Sequence, residues 1–235
     1  MKKRLLLMVV VAVVVGMCSS VAFALDPMGP PTDQLEKGQF GLGVDYMFSD
    51  MDLDESGDDD EDLQATKVFG TLTYGATDNV DLFVRLGIGH AAGEDVASGG
   101  SDLDWGSTEF AWGLGGKVTF LEQDRCKWGA LITWSQFKSE EHSSNEEVAF
   151  DELQIAVGPT YELSDSVSVY GGPFYHHVDG DAQGPSPTDK KCLDTDGFGG
   201  YLGAQFKINE NASLTTEFQY TDDAVGFAAG VMWGF

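Results

Sequence analysis

The sequence predicts an all-β fold: a closed, up-and-down antiparallel transmembrane β-barrel of about ten strands, with eight as the alternative count. Apolar residues fall on every second position through most of the chain, which is the period of a strand and not of a helix. Short turns alternate with long acidic connections between these segments. A closed barrel suits strands with one apolar face, because it leaves no unpaired strand edge in the lipid.

The first residues carry the features of a secretory signal peptide. A basic start, Met1–Arg4, is followed by the uncharged apolar run Leu5–Met17 and by the small-residue cleavage site Ala22-Phe23-Ala24. The apolar run is too short for a membrane-spanning helix, which needs about 17–25 residues. Residues 1–24 are therefore predicted to be removed during export.

The remaining chain is predicted to form one domain with a short lead-in. Residues 25–37 are rich in proline and are expected to be irregular, with a short helical turn over Thr32–Lys37. Residues 38–235 are expected to form the barrel. The formal net charge of the full chain is -26. This acidity excludes nucleic acid as a partner, because a phosphate backbone requires a basic face.

Ten strands can be placed by their alternation. On the third, Val84 and Leu86 share one face while Arg85 and Gly87 lie on the other. The second faces are mostly Gly, Ala, Thr and Ser, and no charge falls in the middle of an apolar face. A charge facing lipid at the midplane costs about 2–4 kcal/mol, so this distribution favours a barrel in lipid over a soluble sandwich. The predicted strands span residues 38–48, 66–76, 79–90, 107–120, 127–138, 150–163, 166–178, 197–208, 212–221 and 224–235.

Aromatic residues gather at both ends of the apolar faces. Two such girdles are expected of a membrane barrel, because amphipathic rings lie at the depth of the lipid headgroups. The alternative is a sandwich with aromatic residues scattered through its core. One group comprises Tyr46, Phe48, Phe110, Trp134, Tyr175, Tyr220 and Phe227, and the other Phe40, Tyr74, Phe120, Trp128, Tyr161, Trp233 and Phe235.

The connections alternate in length. Tight turns rich in Asn, Asp and Ser are predicted at 76–79, 164–166 and 209–212. The connections on the other side are long and acidic: Ser49–Ala65, Ala91–Gly106, Ser139–Ala149 and Asp179–Asp196. The exception on that side is Thr221–Ala224, which is short.

Two segments resemble a known family. The hairpin Tyr74–Leu82 resembles the periplasmic hairpins of small Gram-negative outer-membrane barrels of the OmpA and opacity-protein kind, and Val225–Phe235 resembles their closing strand. The resemblance implies an outer-membrane location, with short turns in the periplasm and long loops outside the cell. It also implies that Val231, Trp233 and Phe235 belong to the signal that the insertion machinery recognises.

Charged residues on the inner faces are expected to pair inside the barrel. Buried charges need partners, and a barrel of this size lies near the range in which side chains fill the interior. A plugged interior is therefore predicted. A narrow pore is the alternative, because many inward residues are Gly or Ala. The predicted lumen network comprises Asp45, Lys67, Arg85, Glu109, Lys117, Glu152, Lys207 and Glu217.

The first long loop is acidic and carries no basic residue. Several of its carboxylates have the spacing of an EF-hand loop, but Glu55 stands where that loop needs glycine, and strands flank it instead of helices. The loop could bind Ca²⁺ or Mg²⁺ loosely, or it could be a solvated acidic loop. Divalent ions could also bridge such loops to lipopolysaccharide. The candidate ligands are Asp50, Asp52, Asp54, Asp58 and Glu61.

The four histidines, His90, His142, His176 and His177, lie near the long-loop ends of the predicted strands. A histidine oriented by a carboxylate could act as a general base, so a hydrolase at the rim is one alternative function. His90 and His176 could instead be metal ligands. No catalytic motif accompanies these residues, and no catalytic residue is predicted.

Two cysteines follow the predicted cleavage site, Cys126 near the turn side and Cys192 near the loop side. A disulfide needs Cα atoms within about 7 Å, whereas the apolar band of a membrane barrel is about 25 Å tall. Two unpaired thiols are therefore predicted. Pro159 and Pro173 lie inside the sixth and seventh predicted strands, where each removes a ladder donor, so paired bulges or a kink are expected there.

The sequence thus predicts a non-catalytic outer-membrane barrel with a structural or surface-interaction role, through acidic loops exposed outside the cell. The alternatives are a narrow channel for small solutes or ions and a rim hydrolase. No cofactor is expected beyond loosely bound Ca²⁺ or Mg²⁺. The expected partners are lipid, lipopolysaccharide and the insertion machinery, and the chain is expected to be a monomer.

Overall fold

A computed structural model of the chain describes residues 25–55, 61–94, 102–103, 109–140, 147–183 and 190–235. Every regular element in these ranges is a strand. None of the described residues forms a helix long and apolar enough to cross a membrane. The strands are β1 (Phe40–Glu55), β2 (Glu61–Thr77), β3 (Val80–Glu94), β4 (Asp102–Leu103), β5 (Glu109–Gln123), β6 (Cys126–Glu140), β7 (Glu147–Ser164), β8 (Val167–Gln183), β9 (Lys190–Lys207), β10 (Ala212–Tyr220) and β11 (Ala224–Gly234).

The ten long strands form a closed antiparallel barrel. The first and last strands pair, with Gly41 opposite Gly234 and Met51 opposite Ala224, and β2 pairs with β3, so each long strand has a neighbour on both sides. The two-residue strand β4 pairs only with the end of β3. The predicted fold class and the count of ten strands are confirmed.

The strands extend further at the long-loop end than the alternation predicts. Strands β7 and β9 each have 18 residues, although about 9–11 residues suffice to cross a bilayer. Backbone pairing continues to Leu53 opposite Glu61 and to Glu140 opposite Glu147. The predicted boundaries at this end are therefore wrong. Above the lipid both faces of a hairpin meet water, so alternation no longer marks the strand.

The barrel wall is lower at one side of the long-loop end. The hairpin of β10 and β11 turns early, between Tyr220 and Ala224. Beyond it β1 and β9 become direct neighbours, with Asp54 opposite Asp194 and Glu55 opposite Leu193. The wall therefore loses two strands above this hairpin, which narrows the long-loop end of the barrel.

The two strand prolines interrupt the ladder without a bulge. Ala156 pairs with Phe174 and Thr160 with Tyr170, so the register between β7 and β8 is the same on both sides of the gap. Pro173 is exposed on the outer face. The expected paired bulge is absent here; the ladder simply misses the bonds that proline cannot donate.

Apolar side chains cover the outer face of the barrel. Leu86 is 59% exposed and its neighbour Arg85 is 5% exposed, as the alternation requires. Rings pack at the turn end, where the Phe40 and Tyr74 centroids lie 4.9 Å apart. Towards the long-loop end, Tyr175 and Phe198 lie 5.1 Å apart. The outer face therefore presents an apolar band with aromatic residues at its two ends.

A charge on this band should destabilise the barrel. We expect Leu86→Arg to lower the free energy of unfolding in phosphatidylcholine vesicles by about 2–4 kcal/mol, because the arginine faces the middle of the band. Leu121→Arg is the matched control: Leu121 lies beside a bulge at the turn end, where the cost should be about 0–1 kcal/mol. Equal losses in urea titrations of the two variants would contradict a lipid-facing band.

The two cysteines lie at opposite ends of the wall. Cys126 begins β6 beside the turn and is a free thiol. The backbone of Cys192 pairs with that of Asp181 near the long-loop end. The Cys192 side chain lies outside the described part of the chain. This backbone separation agrees with the geometry from which unpaired thiols were predicted.

Candidate functional site

The lead-in, Leu25–Lys37, lies inside the barrel, and we call it the N-terminal plug. It enters from the turn end before β1 and runs up the lumen to Leu25. Leu25, Met28 and Leu35 are 0%, 1% and 5% exposed. The plug has no regular secondary structure, so the predicted helical turn over Thr32–Lys37 is wrong.

The sequence of the plug explains why it is irregular. Pro27, Pro30 and Pro31 fix the backbone angle φ and lack an N–H group, and Gly29 has a φ of 69°. Such a segment cannot satisfy its own backbone donors through helix or strand. The buried N–H groups must therefore find partners on the barrel wall.

The wall supplies these partners with side chains from four strands. The backbone N–H of Asp26 donates to Glu152 at 3.0 Å. Further along, that of Asp33 donates to Thr119 at 3.0 Å. Amides of Met28, Gly29 and Gln34 also bond to wall carboxylates. Side chains of the wall therefore bond to the backbone of the plug along its length. In a sheet, the backbone of a neighbouring strand would supply these bonds.

Small lumen-facing residues make room for the plug. A Cβ atom at Gly129 would collide with the carbonyl oxygen of Pro31, and one at Gly75 would collide with that of Glu36. The inward glycines therefore allow the wall and the plug to approach closely. The space beside these small inner-face residues, which suggested a narrow pore as an alternative, is filled by the N-terminal plug.

An ion cluster fixes the upper part of the plug, which is the part nearest Leu25 and furthest from the turn end. Lys67 Nζ lies 2.8 Å from Asp26 Oδ1 and 2.9 Å from Glu152 Oε2. The three side chains are 4%, 1% and 5% exposed. The cluster joins β2, β7 and the plug, and each charge has an opposite neighbour within hydrogen-bond distance.

Carboxylates hold the lower part. Glu217 accepts hydrogen bonds from the amides of Met28 and Gly29 at 2.9 and 2.8 Å, through its two oxygens. Asp81 accepts one from the amide of Gln34 at 2.7 Å. Because both carboxylates are nearly inaccessible to solvent, these charge-assisted bonds are stronger than neutral ones.

Two cations share the lower lumen without direct counter-ions. Arg85 and Lys117 form no ion pair with any carboxylate in the described ranges. The Arg85 guanidinium lies 4.7 Å from the centre of the Phe83 ring. Both cations line a cavity of about 60 Å³ between the wall and the plug, together with Asp45, which accepts a hydrogen bond from Thr71 at 2.6 Å.

Two members of the predicted network lie outside these clusters. Lys207 is exposed at the turn end, where a vestibule of about 580 Å³ opens between the plug and the wall. Glu109 is half-buried at the start of β5, at the long-loop end of the barrel. The vestibule and the smaller cavity share Pro30, Gln34 and Met232 as lining residues.

Aromatic side chains also fill the lumen, and sequence reasoning missed them. The Phe137 and Phe150 rings stack with centroids 6.5 Å apart, and Phe174 meets Tyr201 at 6.2 Å. All four lie on the buried, inner face of their strands. Their position in the alternation, opposite the lipid-facing residues, was the signal that could have found them.

The predicted metal ligands of the first loop are placed only in part. Asp50 is half-buried in β1, while Asp52, Asp54 and Glu61 belong to the paired ends of β1 and β2. Asp58 and the side chains of those three residues lie outside what the structure describes. The described residues contain no group of three or more His, Cys, Asp or Glu suited to a metal ion.

The histidines do not converge. His176 faces the lumen and is fully buried, with no hydrogen-bond partner on either ring nitrogen. His90 and His177 lie on the outer face of β3 and β8, and His142 is outside the described ranges. His90 and His176 therefore cannot share a metal ion, and His176 has no carboxylate bonded to it that would orient a general base.

The closing strand presents the predicted insertion signal to the outside. Val231, Trp233 and Phe235 are 45%, 52% and 60% exposed on one face. The backbone of Phe235 exchanges two hydrogen bonds with Phe40, at 2.8 and 3.1 Å. Recognition of this strand by the insertion machinery remains a prediction.

Several known proteins have a similar barrel architecture. No curated protein matches the sequence. An outer membrane channel from Pseudomonas putida F1 aligns with a TM-score of 0.52 at 12% identity, covering 90% of this chain and 100% of that one. The translocator domain of the autotransporter NalP from Neisseria meningitidis aligns with a TM-score of 0.51 at 10% identity, covering 86% and 90%. At these identities the similarity shows the fold alone.

A third similar structure is Ail, the attachment invasion locus protein of Yersinia pestis, with a TM-score of 0.42, 14% identity and coverage of 85% of this chain and 99% of that one. The family model described as outer membrane protein beta-barrel domain matches residues 84–235. These residues include β5–β11 and most of β3, and hence most of the barrel. The chain is therefore a member of the outer-membrane β-barrel protein family, and it resides in the outer membrane.

Proposed function

We propose that this chain is a non-catalytic outer-membrane barrel whose lumen is closed by its own N-terminal segment, and that it acts through the surface it presents to the outside. The observation that carries this proposal is the plug. Most of Leu25–Leu35 is buried in the lumen, and the segment is bonded to side chains from several strands. A lumen occupied in this way leaves the exposed hairpins as the surface on which a partner could act.

The proposed orientation follows from the two ends of the barrel. The turn end, with its short connections, would face the periplasm, and the extended hairpins would face outward, as is general for outer-membrane barrels. The acidic residues of the first hairpin could then bind divalent ions that bridge the protein to lipopolysaccharide. The chain would act as a monomer, because a closed barrel satisfies its own strand edges.

Planar bilayer recording tests this proposal directly. The purified mature chain should show no steady openings in symmetric salt, while cells expressing it should display hairpin epitopes on their surface. Protease added to whole cells should cleave the hairpin between β8 and β9 before any turn at the opposite end. Steady conductance of the unaltered chain would overturn the closed-lumen proposal.

A narrow channel is the second candidate, and one specific observation favours it. The vestibule at the turn end and the smaller cavity beside Arg85 share Pro30, Gln34 and Met232 as lining residues, so the two spaces adjoin inside the lumen. In this proposal the plug is a gate. Openings that change when Arg85 or Lys117 is neutralised would support the channel over the closed barrel.

The closing strand should determine how efficiently the barrel is inserted in cells. We propose that Phe235 is recognised by the insertion machinery, so Phe235→Ala should lower the yield of outer-membrane protein severalfold. Its backbone bonds to Phe40 are retained, so stability after refolding in detergent should change little. Phe120→Ala removes another exposed aromatic of the same band and should leave the cellular yield intact. Equal yields for the two variants would contradict recognition of Phe235.

A further inference from the structure

The ion cluster at the upper end of the plug contains two carboxylates and one cation. Lys67 bonds to Oδ1 of Asp26 and to Oε2 of Glu152, and Oε1 of Glu152 accepts the backbone amide of Asp26. In the described part of the chain, Oδ2 of Asp26 has no hydrogen-bond partner although the residue is buried. An unpaired acceptor oxygen of a buried charged group is costly, so this oxygen requires a donor.

A second acceptor without a partner is tied to the same residue. Gln219 donates through its amide nitrogen to the backbone carbonyl of Asp26 and to Glu217, both at 2.8 Å. Its amide oxygen accepts from Nε2 of Gln154 at 3.3 Å. The orientation of both amides is thereby fixed, and Oε1 of the fully buried Gln154 is left as an unpaired acceptor among the described residues.

A third buried oxygen lies on the wall beside Leu25. Ser49 of β1 pairs across the sheet with Gly226 of β11. A Cβ atom at Gly226 would lie 3.4 Å from Cβ of Leu25, and side chains of such cross-strand partners are neighbours. Ser49 is fully buried, and its Oγ has no partner within the described ranges. The oxygens that require donors therefore belong to Asp26 itself and to wall residues next to the Leu25–Asp26 segment.

The buried charges of the lumen show the same need. Within the described ranges, four buried carboxylates face three buried cations, so one positive charge is lacking. The carboxylates are Asp26, Asp81, Glu152 and Glu217, and the cations are Lys67, Arg85 and Lys117. The predicted cleavage after Ala24 supplies a cation at this place, because it turns the amide nitrogen of Leu25 into an α-ammonium group with three N–H donors.

We propose that the α-ammonium group created at Leu25 by signal-peptide removal completes the ion cluster, bonded to Oδ2 of Asp26 on the side away from Lys67 and facing Gln154 and Ser49. Hydrolysis of the Ala24–Leu25 peptide bond places the hydroxyl of water on the Ala24 carbonyl and its hydrogen on the Leu25 nitrogen. That nitrogen binds one further proton near neutral pH.

Processing of the precursor therefore stabilises the plug in the lumen. In the precursor the same nitrogen is an uncharged amide with a single N–H, and the cluster retains its excess negative charge. The proposal rests on the position of the plug and on the predicted cleavage. It does not depend on whether the lumen conducts or on any partner at the cell surface.

Selective removal of the terminal amine tests the proposal. Mass spectrometry of the secreted, purified chain should find Leu25 as the first residue, and a different first residue would overturn the proposal. Transamination in denaturant with pyridoxal phosphate converts the α-amine to a ketone and leaves lysines intact. After refolding in the same uncharged detergent, the ketone form should unfold at a midpoint about 6–12 °C lower, because a buried carboxylate has lost its partner. Equal midpoints would overturn the proposal.

The variant Asp26→Asn separates charge from packing. In this variant the terminal amine lacks its carboxylate and can shed its proton near neutral pH, so the amine and ketone forms should unfold within about 2 °C of each other. A difference as large as that of the unaltered chain would mean that the ketone disturbs packing, and would overturn the proposal.

Labelling of the unaltered folded chain decides the matter if the ketone form does not refold. Lys37 is exposed and belongs to the same N-terminal segment as Leu25, so one proteolytic peptide reports both amines. On brief acetylation at neutral pH an exposed terminal amine would react faster than a lysine. The Leu25 amine should instead react at least about tenfold more slowly than Lys37, because it is reached only by local opening. Faster labelling of Leu25 would overturn the proposal.

Discussion

Deleting Leu25–Glu36 is expected to convert a closed barrel into a conducting one. The deletion removes the segment that fills the lower lumen and exposes the glycine-lined wall against which it packs. The vestibule and the cavity beside Arg85 would merge with the space that the plug occupied. In planar bilayers we expect steady openings from the deletion variant under conditions in which the full mature chain shows none.

Two controls separate loss of the plug from general damage. Replacing the segment with Gly and Ser of equal length should also open the lumen, because it keeps the chain length but loses the buried Leu25, Met28 and Leu35 side chains. Substituting Glu36→Gln and Lys37→Gln, which are exposed, should leave the barrel closed. A deletion variant that folds and stays silent would show that the remaining aromatic side chains are enough to close the lumen.

Removing Lys67 is expected to have the largest effect on stability of any single substitution in the lumen. Lys67→Met leaves Asp26 and Glu152 facing each other with no cation between them. Breaking a buried ion pair in this way costs about 3–5 kcal/mol. Urea titration of the protein in lipid vesicles measures this loss.

A charge-neutral cluster is the test of that explanation. The variant Asp26→Asn, Lys67→Met, Glu152→Gln removes all three charges and should recover most of the lost free energy of unfolding, since no uncompensated charge remains. Lys127→Met breaks an exposed pair with Glu122 and should cost about 0–1 kcal/mol. If Lys67→Met were no more harmful than Lys127→Met, the cluster would not be holding the plug.

The barrel could be predicted because each strand in lipid must separate apolar from small or polar residues. That constraint ends where the hairpins leave the membrane, so the sequence did not mark the outer parts of β7 and β9. The two prolines, Pro159 and Pro173, indicated where the β-ladder would be interrupted but not what form the interruption would take. The form depended on the pairing of β7 with β8, whose register is the same on both sides of the gap.

The plug could not be predicted from local pattern. A proline-rich segment has no alternation, and its partners are distant in sequence: Asp26 is 41 residues from Lys67, and Met28 is 189 residues from Glu217. Sequence reasoning selected Lys67 and Glu152 as lumen charges but missed Asp26, because residues 25–37 were assigned to a lead-in outside the barrel. The small inner faces indicated free space without indicating what fills it.

An engineered disulfide tests the position of the plug most directly. The hydroxyl oxygens of Thr32 and Thr160 lie 2.9 Å apart, so Thr32→Cys with Thr160→Cys should form an intramolecular bond on oxidation, in a background in which Cys126 and Cys192 are replaced by serine. Mass spectrometry of the proteolysed barrel should show the two segments linked. Thr32→Cys with Tyr161→Cys, whose side chain faces outward, should stay unlinked. Absence of the Thr32–Thr160 link in the folded protein would contradict a plugged lumen.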